Sequence, residues 1–271
     1  MSIDLTISLV LFQNKEEQIL ELLNSFREST VKWELVVYDN SPTNSLSSLF
    51  QGRNIQYLHD PRNIGFGRGH NKAFSHKKNT SEFHLVVNPD ISFEPLVLER
   101  MIDKMKGNEN IGILAPKVLF PDGTLQRTAR LLPTPLDFFI RRFCPFSRLQ
   151  DKINERYEIY SYDYSYPIEI PFISGCFMLL RSKFFKDLGG FDERFFMYTE
   201  DIDLTRRMMQ LASTVLDPSF SVYHEYERGS HKNCRLLFIF LKSAFQYFNK
   251  WGWIFDKERN TCYPKAYKSS E

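Results

Sequence analysis

The chain has 271 residues, a length that suits one large domain or one domain with an appendage. Hydrophobic residues make up 42% and charged residues 25%, which excludes both a disordered chain and a bundle of membrane helices. With 35 Lys and Arg against 33 Asp and Glu, the formal charge is +2, so we expect no nucleic-acid partner.

The first half of the chain alternates short apolar runs with amphipathic stretches. Short apolar runs predict strands, and apolar residues at helical spacing predict helices. The predicted strands are Thr6–Phe12, Glu34–Tyr38, Ile55–Leu58, Phe83–Val87 and Ile111–Leu114, and the predicted helices are Glu16–Arg27, His70–His76 and Leu96–Lys106. This alternation indicates an α/β fold with a mostly parallel sheet and helices on both faces. A ligand crevice is expected at the carboxyl ends of the strands.

The second half is less regular. From Leu125 to Tyr166 prolines interrupt the pattern, and no element is predicted there. Beyond it we predict a strand at Ile173–Arg181, a short helix that ends at a Gly-Gly turn, and a helix at Glu200–Leu211 with acidic residues in its first turn. A strand that ends at Ser221–His224 precedes the aromatic segment Leu236–Trp253. These features predict one domain followed by a C-terminal tail.

Cysteines and targeting signals point to a reduced compartment. The four cysteines are far apart without a CxxC pair, so neither a structural zinc site nor a disulfide scaffold is indicated. The first residues, MSIDLTISLV, lack the basic and long apolar regions of a signal peptide. No stretch approaches the roughly 18 uninterrupted apolar residues of a transmembrane helix. We therefore expect a cytoplasmic protein.

Acidic residues stand at the ends of predicted elements. Asp39 and Asp90 each follow a predicted buried strand, and Glu200 and Asp201 begin a predicted helix. Carboxylates at strand ends fall in the crevice, where a metal ion or a nucleotide can use them. Each of them alone is better explained as a turn former or a helix cap. His224 ends a strand, and it is a candidate ligand only if the sheet brings it near Asp90.

The loop NIGFGRGHN, residues 63–71, is rich in glycine. It does not fit the dinucleotide-binding fingerprint, because His70 stands where the third glycine is required and the loop follows the third predicted strand. This spacing argues against a nicotinamide-dependent dehydrogenase. A glycine loop at a helix amino terminus nevertheless lets the backbone approach a phosphate or a ribose closely.

Several motifs together carry a resemblance to a known family. The chain resembles the inverting family 2 glycosyltransferases, above all the rhamnosyltransferase-type branch that builds bacterial O-antigen and cell-wall polysaccharides. The segments that carry it are VVYDNSPTN, NIGFGRGHN, VVNPDISF, SGCFMLLR, GGFDERFFMYTEDIDLTRR and SVYHEYERGS. The resemblance implies a GT-A fold, with a donor-binding half at about residues 1–120 and an acceptor-binding half at about 121–233. It leaves residues 234–271 as a helical tail.

The resemblance also implies roles for single residues. Asp201 matches the catalytic base, with Glu200 beside it, and Asp90 and His224 match ligands of a Mg or Mn ion. The first acidic position of the family's DxD motif is Asn88 here, which implies weaker metal binding or fewer protein ligands. The residues implied at the nucleotide sugar are Asp39, Asn40, Asn63, Gly65, Phe66, Gly67, Asn71 and Asn88. The residues implied at the acceptor are Arg130, Gly175 and Cys176.

The chemistry of sugar transfer agrees with these roles. The attacking hydroxyl must lose its proton, and a positioned carboxylate is a suitable general base. A divalent cation neutralises the charge that develops on a departing nucleoside diphosphate. Oxygen ligands with one imidazole suit Mg or Mn better than zinc. No second carboxylate stands out as the nucleophile of a retaining mechanism, so we expect inversion.

The C-terminal segment Leu236–Trp253 combines six aromatic Phe and Trp residues with Lys242 and Lys250. Such a helix suits the interface of a membrane, and it equally suits a core helix whose aromatic stripe packs on the domain. The first interpretation predicts peripheral attachment to the cytoplasmic face of the inner membrane, close to a polyprenyl-diphosphate-linked acceptor.

The leading hypothesis is transfer of L-rhamnose from dTDP-L-rhamnose to a glycan or to a lipid-linked saccharide. One alternative is the same fold with a UDP-hexose or UDP-galactofuranose donor. Another is a non-catalytic protein that binds a glycan or a nucleotide. The TEDID segment argues against the latter, because a binding protein needs no general base.

Overall fold

The computed structural model describes residues 3–225, 234–262 and 264–266. The end of the motif SVYHEYERGS, from residue 226 onward, and the tail beyond residue 266 lie outside the described residues. The strands are β1 (Leu5–Leu11), β2 (Trp33–Asp39), β3 (Ile55–His59), β4 (Phe83–Val87), β5 (Ile91–Ser92), β6 (Ile111–Leu119), β7 (Leu125–Gln126), β8 (Ile168–Glu169), β9 (Phe177–Arg181), β10 (Ser213–His224) and β11 (Lys265–Ala266). The α-helices are α1 (Glu16–Arg27), α2 (Phe66–His76), α3 (Val97–Lys106), α4 (Pro135–Phe143), α5 (Ser147–Tyr157), α6 (Ser182–Asp187), α7 (Glu200–Met208), α8 (Cys234–Trp251) and α9 (Lys257–Thr261).

One mixed sheet joins these strands, in the order β11-β8-β10-β6-β9-β4-β1-β2-β3. The four strands β3, β2, β1 and β4 are parallel, as predicted for the first half of the chain. Strand β9 departs from the predicted parallel arrangement, since it runs antiparallel to both β4 and β6. It enters the sheet from the crevice edge, where β4 and β6 end, so its direction is reversed. Beyond it, β10 is again parallel to β6.

Both faces of the sheet are covered by helices, which explains the continuous apolar strands. Alternate residues of β1, such as Ile7 and Leu9, are fully buried in one core cluster with α1 and α3. The residues between them face the α2 side. There the Ser8 hydroxyl lies 2.7 Å from His70 Nδ1 and 3.0 Å from His84 Nε2, so a buried polar network lies under the glycine loop.

The segment from Leu125 to Tyr166, for which the sequence predicts no element, contains two helices, α4 and α5. Thr134 caps α4, because its hydroxyl accepts a hydrogen bond from Asp137 N at 3.1 Å and its own N–H donates to Asp137 Oδ2 at 2.7 Å. Pro135 occupies the first helical position, where it needs no hydrogen-bond partner. Asp137 is buried and forms an ion pair with Arg156 of α5. The prolines thus start a helix rather than interrupt one.

Helix α2 begins at Phe66, four residues before its predicted start. Gly65 has φ +94°, and a Cβ there would lie 2.4 Å from the carbonyl oxygen of Phe196. The N–H of Phe66 donates to that same oxygen at 2.9 Å. Glycine is therefore required at position 65 for the loop to pack against the segment that precedes α7.

Helix α8 is both a core helix and a surface helix. Tyr247, Phe248 and Ala244 are buried in a cluster with Ile202 of α7 and Phe138 of α4. Its other face leaves large apolar side chains exposed, among them Phe238 and Phe245. The core-helix interpretation is therefore confirmed for one face of α8, and the membrane interpretation stays a prediction for the exposed face.

Candidate active site

A crevice of about 640 Å³ opens where β4, β6 and β10 end and where β9 and α7 begin. The carboxyl ends of the parallel strands therefore meet at this edge, as expected. The sequence-predicted residues that line it are Phe66, Asn88, Arg130, Gly175, Cys176, Glu200, Asp201 and His224.

The two acidic residues at the start of α7 are held by backbone donors. Gly175 N donates to Asp201 Oδ2 at 3.1 Å, and Ile202 N donates to Oδ1 at 2.8 Å. Asp201 is half-buried at the crevice wall. Glu200 is almost completely buried, and Thr199 N donates to its Oε2 at 3.0 Å. The Asp201 carboxylate is thus positioned at the crevice on a rigid helix end.

Burial raises the pKa of both carboxyl groups. Repulsion from Asp201 raises the pKa of Glu200 further. The N–H groups of Gly175 and Ile202 and the charge of Arg130 oppose the rise at Asp201. Asp201 is therefore the member of the pair that carries the negative charge near neutral pH, and it can accept a proton there.

Strand pairing brings together the two residues predicted to bind a metal ion. Strand β5 pairs antiparallel with β10, with His224 opposite Ile91, and Glu225 N donates to the Asp90 carbonyl oxygen at 3.0 Å. His224 Nε2 lies 3.3 Å from Asp90 Oδ2. Asp90 Oδ1 is buried and has no hydrogen-bond partner among the described residues.

Gln126 of β7 fixes the orientation of the His224 ring. Its Nε2 donates to the His224 carbonyl oxygen at 2.6 Å, which leaves Oε1 to accept from His224 Nδ1 at 3.1 Å. The lone pair of the imidazole then belongs to Nε2, on the side of Asp90. Two acceptor atoms this close need a cation or a proton between them, and such an orienting partner is typical of metal-binding histidines.

A complete metal cage is not present. Over residues 3–225, 234–262 and 264–266, no group of three or more His, Cys, Asp or Glu side chains is arranged to hold a metal ion. Asp90 and His224 provide two protein ligands at most. Magnesium sites at nucleotides commonly use one or two carboxylates and take the remaining ligands from phosphates and water.

The other predicted donor residues shape the loops next to the crevice. Asp39 is fully buried and accepts hydrogen bonds from Ser41 N at 2.8 Å and from Tyr57 Oη at 2.6 Å. Asn40 is buried and connects the end of β2 to the glycine loop, because its side chain bonds Ile64 N and the Gly65 carbonyl oxygen. The Asn63 side chain accepts from Gly65 N at 3.0 Å. These three residues lie beside the crevice and do not line it.

Asn71 and Gly67 connect α2 to the segment before α7. The Asn71 amide bonds both the N–H and the carbonyl oxygen of Phe191, at 2.8 and 2.9 Å. A Cβ at position 67 would lie 2.9 Å from Phe191 Cβ and 3.5 Å from Glu200 Cβ. The structure therefore gives both residues a bracing role under Glu200, away from the crevice lining.

Sequence reasoning missed several residues of the crevice, including Gln126, Arg127, Tyr160 and Tyr198. The Arg127 guanidinium lies 4.5 Å from the centre of the Tyr160 ring. Tyr198 has φ +93°, a strained conformation for a residue other than glycine, directly before the turn into α7. Strain of this kind is common at functional sites, and the aromatic residue next to TEDID was the available signal.

Helix α7 is anchored to the C-terminal helices by buried polar contacts. Arg206 forms two hydrogen bonds of 2.8 Å with the Asp256 carboxylate, and both side chains are almost fully buried. Trp251 Nε1 donates to Asp203 Oδ1 at 2.8 Å, and the Lys250 ammonium lies 2.5 Å from the same oxygen. The position of α7, and with it that of Asp201 at the crevice wall, therefore depends on contacts with α8 and with the loop after it.

The α8 surface combines apolar exposure with a lack of acidic residues. Within the part of the chain that the structure describes, none of the helices has both the length and the apolar character that crossing a bilayer demands.

The thiols of Cys144, Cys176, Cys234 and Cys262 are free. Burial raises the pKa of the Cys176 thiol in the crevice to about 11.

Comparison with known proteins identifies the family. The model of glycosyl transferase family 2 matches residues 9–189, and a model described as the N-terminal domain of galactosyltransferase matches residues 155–232. The chain is 27% identical over 231 residues to an N-acetylglucosaminyl-diphospho-decaprenol L-rhamnosyltransferase of Mycobacterium tuberculosis, with 77% of this chain and 71% of the relative covered. It is 26% identical to the rhamnosyltransferase WbbL of Escherichia coli K12, over 88% of this chain and 90% of the relative.

A solved structure shows the same fold. The mannosyltransferase PcManGT from Pyrobaculum calidifontis, in complex with GDP-Man and Mn²⁺, superposes with a TM-score of 0.60 at 16% identity. The superposition covers 92% of this chain and 64% of that protein. The mixed α/β sheet with helices on both faces is thus the GT-A fold. The chain belongs to glycosyl transferase family 2, and it is a glycosyltransferase with rhamnosyltransferase relatives.

Proposed function

We propose that this enzyme transfers L-rhamnose, with inversion, from dTDP-L-rhamnose to a saccharide carried on a polyprenyl diphosphate. The observation that carries the proposal is the Asp201 carboxylate, held by backbone donors in the wall of a crevice that His224 also lines. Asp90 does not line this crevice, and it lies behind His224, 3.3 Å from the imidazole Nε2. The two relatives named as rhamnosyltransferases support the donor sugar. The name of the mycobacterial relative supports a lipid-linked acceptor.

Asp201 acts as the general base in this proposal. It removes the proton of the acceptor hydroxyl as that oxygen attacks the anomeric carbon, and the bond to the nucleoside diphosphate breaks on the opposite face. Direct displacement inverts the anomeric centre. Glu200, protonated beside it because burial raises its pKa, limits the negative charge at the crevice wall.

The residues at the end of β10 fit a divalent cation. Asp90 Oδ1 is buried without a partner among the described residues, and Gln126 orients the imidazole of His224 toward Asp90. Asp90 and His224 would hold Mg²⁺ or Mn²⁺, which neutralises charge on the leaving diphosphate. Asn88, in place of an acidic residue, leaves two protein ligands, so the affinity for the free ion is expected to be low.

The remaining donor residues are assigned to the nucleotide. We infer that Asp39 recognises the base, because it lies at the end of β2, and that Asn40, Asn63 and Gly65 form the loop at the diphosphate and sugar. Binding of dTDP to Asp39→Ala tests this role, and unchanged affinity would contradict it. Arg130, Gly175 and Cys176 are assigned to the acceptor side, within the division into donor and acceptor halves near residue 120.

The exposed face of α8 is assigned to the cytoplasmic surface of the inner membrane. Exposed apolar residues Phe238 and Phe245 alternate there with Arg235 and Lys242. Aromatic and basic residues on one helix favour an anionic membrane surface. Attachment through these basic and aromatic side chains is expected to be reversible and to weaken with salt.

A second donor class has support from one finding. The galactosyltransferase-related model matches residues 155–232, which include the catalytic helix and part of the acceptor half. This match favours a UDP-hexose as the alternative donor.

A panel of nucleotide sugars tests the proposal. Purified enzyme with Mg²⁺ or Mn²⁺ is given dTDP-L-rhamnose, UDP-hexoses and UDP-galactofuranose with a polyprenyl-diphosphate-linked N-acetylglucosamine, and products are analysed by mass spectrometry and NMR. We expect transfer from dTDP-L-rhamnose with an inverted anomeric centre. Transfer from a UDP-sugar alone would establish the alternative donor. A retained anomeric configuration would overturn the role of Asp201.

A further inference from the structure

An apolar cavity lies outside the crevice, between α4 and α8. It has a volume of about 310 Å³, and we call it the aromatic slot. Helix α4 lines it with Phe138, Phe139 and Phe143, and α8 lines it with Phe240, Phe245 and Phe248. Leu241, Ala244 and Trp253 complete the lining, which contains no polar residue type other than the tryptophan.

The aromatic slot is open to solvent at its rim. Phe139, Phe143 and Phe245 are each at least half exposed. The following loop exposes Ile254 and Phe255 still more, with Phe255 92% exposed. Contiguous exposed apolar surface of this kind marks a binding site on a soluble domain.

The slot adjoins the catalytic crevice. Tyr198 lines the crevice beside Glu200, and its ring centre lies 5.8 Å from that of Phe240, which lines the slot. Phe240 also contacts Phe138 across the slot, at 5.1 Å between ring centres. A ligand whose polar end is in the crevice can therefore extend an apolar chain past Tyr198 into the slot.

The charges around the slot favour a ligand with phosphate groups. Helix α8 has no Asp or Glu between Cys234 and Trp251, and the one acidic residue of α4, Asp137, is buried and paired with Arg156. Lys242 is exposed on α8, and Arg142 is half-buried on α4. On the crevice side, Arg127 and Arg130 add two more cations.

We propose that the aromatic slot binds the first isoprenoid units of the polyprenyl chain of the acceptor. This inference rests on the proposed function and names the part of the acceptor that the crevice does not hold. The apolar side chains of the slot contact the isoprenoid units, and the nearby cations contact the diphosphate. Tyr198 lies between the slot and the crevice that Glu200 and Asp201 line. A bilayer phospholipid satisfies the first two features but has no group that reaches the crevice.

Binding measurements test the slot independently of sugar transfer. The full chain is titrated calorimetrically with farnesyl, geranyl and inorganic diphosphate, in the presence of dTDP to occupy the donor site. Each buried methylene strengthens binding about fourfold. We therefore expect farnesyl diphosphate to bind at least tenfold more tightly than geranyl diphosphate, and inorganic diphosphate to bind most weakly.

Substitutions in the slot provide the matched comparison. Phe245→Ser and Phe139→Ser change half-exposed residues, so folding should be preserved, and Ala244→Trp fills the slot from its floor. All three are expected to remove most of the preference for farnesyl over inorganic diphosphate. Leu136→Ser is the control, because Leu136 is on the same helix, is 65% exposed and does not line the slot.

Other results would overturn the inference. Equal binding of farnesyl and inorganic diphosphate, with transfer to a lipid-linked acceptor intact, would reject the slot and leave the proposed function standing. Preferential farnesyl binding without transfer from any nucleotide sugar would reject the proposed function and retain the slot. If Phe245→Ser and Phe139→Ser abolish binding to phosphatidylglycerol vesicles but not to farnesyl diphosphate, the slot is a membrane contact. If they instead dissociate a dimer in sedimentation analysis, a second copy of the chain is its occupant.

Discussion

The two sides of the crevice hold their charged groups in different ways. Asp90 and His224 are placed by the backbone, because β5 pairs with β10 and Glu225 N bonds the carbonyl oxygen of Asp90. Glu200 and Asp201 are placed by a helix that side chains anchor to α8 and to the loop after it. The side assigned to the donor is thus built into the sheet, and the side assigned to the acceptor is held by side-chain contacts with α8 and the loop after it.

This difference predicts how each side responds to substitution. A backbone ladder keeps its geometry when one side chain changes, so a substitution there removes a single ligand. The side-chain contacts that anchor α7 to the C-terminal helices depend on one another. A substitution far from the crevice can therefore displace Asp201. The aromatic face of α8 also belongs to the braced side, which places the surface assigned to the acceptor lipid in direct contact with the helix that carries Asp201.

The largest effect is expected for the base itself. Asp201→Asn keeps the shape of the side chain and can still accept from Gly175 N, but it cannot take a proton. The rate of transfer is expected to fall by about 10²–10⁴-fold, while the affinity for the nucleotide sugar stays unchanged. Steady-state kinetics and calorimetric binding of the donor measure the two quantities.

Asp187→Asn serves as the control, because Asp187 is an exposed acid at the end of α6, outside the crevice. It should leave turnover unchanged. Wild-type turnover in Asp201→Asn would move the role of base to another group, and Glu200 is the nearest candidate.

The brace is expected to show the next largest effect. Arg206→Met removes the two guanidinium hydrogen bonds of the buried Asp256 carboxylate, and breaking a buried ion pair in this way costs about 3–5 kcal/mol. Urea unfolding measures the loss in the free energy of unfolding. If α8 positions α7, kcat should fall as well in the folded fraction, although Arg206 does not line the crevice.

A double substitution separates the charge from the brace. Arg206→Met with Asp256→Asn removes both buried charges and keeps a side-chain oxygen that can cap α9, so part of the lost stability should return. Arg62→Ala is the control, since its ion pair with Asp60 is exposed and its removal should leave the Tm unchanged. A similar loss of stability in Arg206→Met and Arg62→Ala would contradict the brace.

The elements of the donor half follow from local sequence patterns. Helix α1 has the predicted bounds and β4 does too, because apolar periodicity and turn residues mark both. The reversed direction of β9 could not be predicted, since it depends on pairing between segments distant in sequence. Helices α4 and α5 had a local signal in Thr134-Pro135, a cap and a first-turn proline, that was interpreted as a break.

For the site, too, some features follow from local sequence patterns and others depend on contacts between distant segments. The positions of Asp90 after β4 and of Glu200-Asp201 at the start of α7 could be predicted, because turn residues and a recognisable motif mark these element ends. Their roles stay predictions. The role of Gln126 was not, because it contacts a residue 98 positions away across the β6–β7 hairpin and β10. Asn71 fitted the pattern of a ligand-binding loop, yet its amide bonds the backbone of Phe191. Short-range patterns locate functional segments, whereas tertiary contacts decide which side chains face the ligand.

The donor side should show a smaller and purely local effect. Gln126→Leu removes the group that orients the His224 ring, while the β5–β10 pairing remains. Loss of such an orienting partner typically weakens metal binding or activity by about 10–100-fold. The Mg²⁺ or Mn²⁺ concentration for half-maximal transfer is expected to rise accordingly. The free energy of unfolding should fall by about 1–3 kcal/mol, because buried groups of His224 lose their hydrogen bonds to Gln126.

Gln150→Leu is the matched control. Gln150 also bonds a backbone carbonyl, that of Cys144 at 2.8 Å, but it lies on α5 outside the crevice. Its metal dependence should equal that of the wild type. An unchanged metal requirement in Gln126→Leu, or full activity in excess chelator, would remove the cation from the proposal.

The smallest effect concerns the buried hydrogen-bond network of Ser8, His70 and His84 under the glycine loop. Burial lowers the pKa of His70 to about 3, and burial with the nearby His70 and Lys77 lowers that of His84 well below its usual value. Both rings are therefore neutral in the folded protein at pH 5.5, whereas in the unfolded chain they take up protons below about pH 6.5. The unfolded state binds more protons, so stability is present above pH 6.5 and is lost as the pH falls, by about 1 kcal/mol for each ring between pH 7 and 5.5.

His84→Gln retains hydrogen bonding to Thr6 and Ser8 but cannot titrate, so its unfolding free energy should fall by about 1 kcal/mol less over this interval than that of the wild type. Urea unfolding at the two pH values measures the difference, and other titrating groups cancel because both proteins contain them. His76→Gln, which changes an exposed histidine at the end of α2, should lose as much stability as the wild type. If His84→Gln loses as much stability between pH 7 and 5.5 as the wild type does, protonation of His84 in the unfolded chain does not contribute to the pH dependence. The geometry of the side assigned to the donor would then rest on its backbone pairing alone.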